Sequence, residues 1–200
     1  MAMTQQTLDV RTLGGIYSRA LLADSPAAAV VTSGASTKLF LDQLGGSTNS
    51  GITQTAATSN FYDGIVPNGE VYTLFGFQVM VYETDSSAVP VASTAVIHQE
   101  ALRNLSFSLN LKGQEYVIGS VMPTPCPLGT NTLFQNGGRA VAPFRFPRQL
   151  PLQLNSNDQF FVTVTAKRTI NLTAASTNGL GIFVYCPASR GIPLGQLSGA

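Results

Sequence analysis

Tryptophan is absent from the 200 residues, histidine occurs once, and charged side chains make up 10% of the chain, against about 25% in an average soluble domain. Each shortage excludes something. A zinc or iron site needs three or four suitable ligands, and His98, Cys126 and Cys186 are too few and too scattered to build one from nitrogen and sulfur. A Ser-His-Asp arrangement would have to run through His98, and no G-x-S-x-G elbow supplies its nucleophile. His98 therefore reads as a structural or surface residue. No phosphate-cradling loop occurs either, since the Gly-Gly pairs at 14, 45 and 137 are punctuation. Carboxylate pairs remain, with Glu70, Glu83, Glu100 and Glu115 on or near strands. Nothing in the sequence brings two of them into a cleft, and charges that keep edge strands from stray pairing are the better reading. The expectation is a protein that is no enzyme and has no cofactor.

Long apolar runs are missing too, so no segment reaches the roughly 18 residues of a membrane-spanning helix. The net charge of +1 gives no basis for binding nucleic acid through the whole surface. MAMTQQTLDVRTLGG has no basic segment leading into an apolar one, so it does not read as a signal peptide. Without export, Cys126 and Cys186 are expected to stay reduced.

What the chain does have is 44% hydrophobic residues, 19 glycines and 11 prolines, a composition that excludes disorder. Low charge then leaves two readings. Either neighbouring subunits cover much of the surface, since interface cores are depleted in charge, or the exposed surface is neutral and rich in hydroxyls. Arg139, Arg145 and Arg148 lie close together in sequence. They form a patch facing phosphate or acid, or, the preferred reading, they pair with carboxylates at subunit contacts.

Strand signals dominate. Residues 104 to 111, NLSFSLNL, alternate with Leu105, Phe107, Leu109 and Leu111 inward. Lys112-Gly113-Gln114 turns the chain and residues 115 to 121 return it as a hairpin. Residues 160 to 167 form a further strand, with Phe160, Val162, Val164 and Ala166 on one face, entered from the turn Asn155-Ser156-Asn157-Asp158. Residues 71 to 82 alternate with Phe75, Phe77, Val79 and Val81 on one face. Other strands are expected at 37 to 44, 140 to 146, 150 to 154 and 180 to 186, with a Val66-Pro67-Asn68-Gly69 turn. Residues 95 to 102 suit a short helix or a strand. The polar stretch 45 to 60 reads as a long surface loop or an edge excursion. Residues 1 to 36 read as an N-terminal arm, with a helical turn or two at 16 to 22. Residues 37 to 190 read as an all-β sandwich and 191 to 200 as a tail.

LSFSLNLKGQEYVIGSVMPTP is a hairpin running into a proline-rich loop, and in FPRQLPLQLNSNDQFFVTVTA a proline-bounded polar turn feeds a long strand. In this order the segments resemble the single jelly roll of viral capsid proteins, in particular those of icosahedral tailless bacteriophages. The likeness is one of architecture and spans roughly residues 60 to 190. It implies a jelly-roll β-sandwich of about eight antiparallel strands that self-assembles into capsomers, contacts other virion proteins and resides in the virion. Under it the candidate subunit-interface residues are Arg139, Arg145 and Arg148 as salt-bridge donors, with Phe144, Phe146, Leu21, Leu22 and Ile192. The chain departs from many capsid proteins in lacking a basic arm, since residues 1 to 18 hold Arg11 as their one cation. Genome binding by the arm loses its basis, and the net charge of +1 suits an inner face that does not touch naked nucleic acid, which leaves room for a lipid layer or a separate genome-binding protein beneath the shell. The alternative is a spike, fibre or decoration domain binding a receptor or glycan, through Phe61, Tyr62 and Asp63 or the loop at 122 to 138.

Overall fold

Two glycine-assisted residues, Lys112 at φ 51° and Gly113 at φ 79°, make the two-residue turn whose twist suits a hairpin. They join β6 (Leu105–Leu111) to β7 (Gln114–Gly119), as the alternation of NLSFSLNL predicts. The computed structural model describes residues 12–22, 30–84, 101, 103–119, 144–145, 152–172 and 179–191. Next to β6 lies β10 (Phe160–Ala166), which also pairs with β3 (Ser36–Leu39), so this sheet has the order β3, β10, β6, β7. Phe160, Val162, Val164 and Ala166 are all buried, and Phe161, Thr163 and Thr165 face outward. β3 is shorter than the expected strand because Phe40 takes a positive φ of 71° and turns the chain away.

β12 (Gly179–Gly191) is 13 residues long and forms the axis of the other sheet. β1 (Thr12–Leu22) pairs with it residue for residue, from Thr12↔Arg190 to Leu22↔Leu180. On the far side, β5 (Gly76–Thr84) takes residues 179 to 185 and β4 (Val71–Leu74) takes 188 to 191. Beyond them lie β8 (Phe144–Arg145) against β5 and β9 (Leu152–Leu154) against β4. With β4–β5 and β8–β9 each counted as one interrupted strand, the order is β1, β12, β4–β5, β8–β9. A small pair, β2 (Val30–Val31) with β11 (Ile170–Asn171), stands apart. Every pairing is antiparallel, and the buried faces of both sheets share one core. The described residues are all-β, in a sandwich arrangement.

Several expectations need correction. Residues 16 to 22 are neither arm nor helix: they belong to β1, and Ile16, Ala20 and Leu22 are core residues. The last strand, expected at 180 to 186, runs on to Gly191 and so takes in the first residue of the expected tail. The faces expected over 71 to 82 fail at Phe75. Leu74 pairs with Ala188 and Gln78 with Tyr185, so this stretch holds one residue more than β12 opposite. Phe75 is the bulged residue, 43% exposed, and Leu74 joins Val79 and Val81 on the buried face. Opposite the bulge sits Pro187, whose carbonyl accepts from the Phe75 N–H at 2.9 Å. A residue in an antiparallel ladder points N–H and C=O to the same side. The N–H that proline lacks would therefore fall in the gap between β4 and β5, where a central strand tolerates it.

The turns at 66 to 69 and 155 to 158 are as expected. Glu70 N–H closes on Pro67 O at 3.1 Å with Gly69 at φ 80°, and Asp158 N–H closes on Asn155 O at 3.0 Å with Asn157 at φ 65°. The two turns are stitched together by Asn157 N–H to Val66 O, 3.0 Å, and Val66 N–H to Asp158 O, 3.0 Å. Beneath them Phe61 contacts Phe40, Phe160 and Tyr72 with ring centroids 5.8 to 6.0 Å apart, each edge to face. Of the helix-or-strand segment at 95 to 102, Ala101 is described: it is buried, and its backbone is helical, as is that of Arg103 and Asn104 just before β6. The rest lies outside the described residues, as does most of the strand expected at 140 to 146.

Candidate functional site

The polar stretch 45 to 60 proves to be an edge cover. Arg19 N–H donates to Thr58 O (2.9 Å), Leu21 N–H to Ser50 O (2.6 Å) and Lys38 N–H to Asn49 O (3.0 Å), while Tyr17 O accepts from Asn60 N–H (3.1 Å). Tyr17 N–H is taken by Asn60 Oδ1 at 2.7 Å. One strap of chain thus satisfies the outer edges of β1 and β3, which would otherwise present unpaired ladder groups. Its root is Asp42, 5% exposed. Asp42 Oδ1 accepts from Asn49 N–H (2.9 Å) and Asn49 Nδ2 (2.8 Å), and Oδ2 accepts from Ser50 N–H (2.7 Å) and Ser50 Oγ (2.5 Å). Burial works to raise this carboxyl's pKa, but those donated hydrogen bonds outweigh it and hold the group below its ordinary value.

The outward face of the sheet built on β12, called the first sheet from here with the β3, β10, β6, β7 sheet as the second, is aromatic. Tyr17 stacks on Phe183 with centroids 6.2 Å apart and planes at 27°. Arg19 Nε donates to Tyr82 Oη at 2.8 Å, and its guanidinium lies 5.3 Å from the Tyr82 ring centroid. Tyr82 is 3% exposed; burial pushes its phenol up, and Arg19 partly offsets this. Gly181 makes the arrangement possible, because a Cβ there would come within 2.1 Å of Tyr82 Cε2. Met80 and Tyr185 continue the face, half-buried. On the outward face of the second sheet stand Ser36, Thr163, Thr165, Ser106 and Asn110, tied by Asn110 Nδ2 to Thr163 Oγ1 (3.1 Å) and Thr165 Oγ1 to Ser36 Oγ (3.2 Å).

The expected interface residues fare unevenly. Arg139, Phe146, Arg148 and Ile192 lie outside the described residues, as does the loop at 122 to 138. Phe144 and Arg145 form β8, at the border of the first sheet. Leu21 is half-buried on the aromatic face, opposite Gly181. Leu22 is 1% exposed and packs in the core, so it is not free to meet a neighbour. Its parity in β1 decides this: Leu22 points the opposite way to Leu21. Phe61, offered for a ligand patch, is 3% exposed and belongs to the aromatic core. Tyr62 Oη donates to Ser59 O at 2.6 Å, and Asp63 is exposed.

Among the carboxylates, Glu70 pairs with Arg190 and accepts from Tyr72 Oη at 2.7 Å. Glu70 precedes β4 and Glu83 lies near the far end of β5, about 40 Å apart at 3.3 Å per residue, far beyond a glycosidase pair. Cys186 is a buried free thiol, pushed well above the ordinary thiol range by burial alone. A covered outer surface was legible over residues 71 to 82, apolar in part on both faces, and GLGIFVYC, apolar at both parities, marks a second strand covered on both sides; the ring packing of that face was not. No family model matches this chain, and no curated protein matches it.

Proposed function

We propose that this chain is a shell-forming capsid subunit built on a single jelly roll. The observation that carries the reading is the order of strand pairing. A jelly roll is an antiparallel ribbon wrapped on itself, so that first pairs with last and each later strand with its counterpart from the end. Here β1 pairs with β12, β3 with β10, β4–β5 with β8–β9, and β6 with β7. The resulting sheets, β1, β12, β4–β5, β8–β9 and β3, β10, β6, β7, are those such wrapping requires. Charge content of 10% adds to this, because surfaces buried between copies in a closed shell shed charge. In this reading the partners are copies of the chain and other virion proteins, and Arg139, Arg145 and Arg148 are salt-bridge donors between subunits.

The test is mass by light scattering on the purified protein, with the same fractions imaged by negative-stain electron microscopy. Capsomer-sized oligomers that close into particles are the expected result. A discrete trimer or monomer that never assembles overturns it in favour of a spike or decoration domain. A double substitution of Arg145 and Arg148 by alanine should weaken association more than subunit stability.

A further inference from the structure

The strap over residues 43–60 is held to the sandwich without a fully buried apolar side chain. Its buried residues are Ser50, Gln54 and Ser59, and its attachments are the hydrogen bonds to β1, β3 and Asp42. Gln54 Nε2 adds bonds to Ser50 Oγ (2.8 Å) and Arg19 O (3.0 Å). Protein–water hydrogen bonds replace such contacts at small net cost, whereas the core below loses apolar burial when it opens. A segment attached in this way is the first to open locally. What it covers is a strand edge, and an uncovered edge accepts any extended backbone. The chain most available to a given copy is another copy, and with 10% charged residues little repulsion keeps the two apart.

We propose that residues 43–60 are an edge guard: the strap opens as a unit from a folded sandwich, Asp42 is its latch, and the β1 edge it uncovers pairs with a strand of a second copy of the chain. The geometry contains its own control. Along β1 the N–H groups of Tyr17, Arg19 and Leu21 point to the strap, while those of Ser18 and Ala20 point to β12.

Native-state hydrogen exchange on the full chain tests this. Relative to intrinsic rates, the Tyr17, Arg19 and Leu21 amides should exchange about tenfold or more faster than those of Ser18 and Ala20. Equal protection of both sets overturns the proposal, because β1 would then open only with the sandwich. Two variants address the latch. Ser50→Ala removes the hydroxyl that meets Asp42 and Gln54. Gly51→Ala places a Cβ 3.0 Å from Leu21 O at a residue whose φ is +71°. Each should speed the strap-facing amides by about tenfold more, leaving the Val162 and Val164 amides of β10 unchanged. No change at the strap-facing amides overturns the latch. In light scattering below the concentration at which the parent assembles, both variants should form dimers where the parent is a monomer. A mass distribution matching the parent's overturns pairing between copies.

Discussion

On the outward face of the first sheet stand Tyr17, Arg19, Tyr82, Phe183 and Tyr185; on that of the second stand mostly hydroxyls and amides, Ser36, Thr163, Thr165, Ser106 and Asn110, with the ring of Phe161 beside Lys38. Both sheets turn aliphatic and aromatic side chains inward to one core, so the contrast is confined to the outside. A hydroxyl face is content in water. An aromatic face that buries Tyr82 to 3% exposure is a packed layer in its own right, with its own steric demands. The first sheet should therefore respond to substitution on both faces, and the second on one.

The largest effects should fall where the sheets are alike. Phe160→Ala on the second sheet and Ile182→Ala on the first, both 0% exposed, should each cost about 3–4 kcal/mol in denaturant unfolding. A value under about 1 kcal/mol at either would break the picture of a shared core. Next comes the contrast itself. Gly181→Ala drives a Cβ into the Tyr82 ring and should cost about 2 kcal/mol, while Ser106→Ala on the opposite sheet should stay within about 0.5 kcal/mol. Similar costs for the two would erase the distinction between the faces.

A smaller difference separates the cations. Arg19→Ala loses a hydrogen bond and a cation–π contact with a buried ring, a loss of about 1 kcal/mol. Lys38 lies 5.7 Å from the Phe161 ring centroid on the watery face, and its replacement should cost less than about 0.5 kcal/mol. Equal losses in thermal unfolding would show that Tyr82 gains nothing from Arg19. Last comes the shape of the stability profile in acid. Asp42 is depressed in the folded chain, so its contribution is complete above the unfolded carboxylate value of about 3.9 and fades as pH falls through the folded value. Asp42→Asn should flatten the stability profile over that acid window. A profile parallel to the parent's would mean the Asn49 and Ser50 bonds do not favour the charged form.

The same contrast explains which parts of the fold were legible. β6 and β10 alternate apolar with polar residues, so their inward sets could be read off directly, and the Lys112-Gly113 turn announced the hairpin. β5 and β12 are apolar at both parities, and there the period carries no information about which side faces the core. The shift at Phe75 was invisible because a bulge is defined only by the partner opposite, Pro187 on β12. Leu22 was taken for an interface residue because TLGGIYSRALL, with two glycines, a serine and an arginine, has no strong strand pattern of its own.

By itself the sequence determined the all-β character, the hairpin of β6 and β7, the inward row of β10 and the turns at 66 to 69 and 155 to 158. These rest on dihedral preferences and two-residue periodicity, which act between near neighbours. Tertiary structure alone decided that residues 12 to 22 are a strand, that residues 45 to 60 cover two edges, and that the outside of one sheet is a packed aromatic layer. Each depends on backbone groups or rings supplied by distant segments, β12 above all. Strand β1 exists because β12 satisfies one of its edges and the strap satisfies the other.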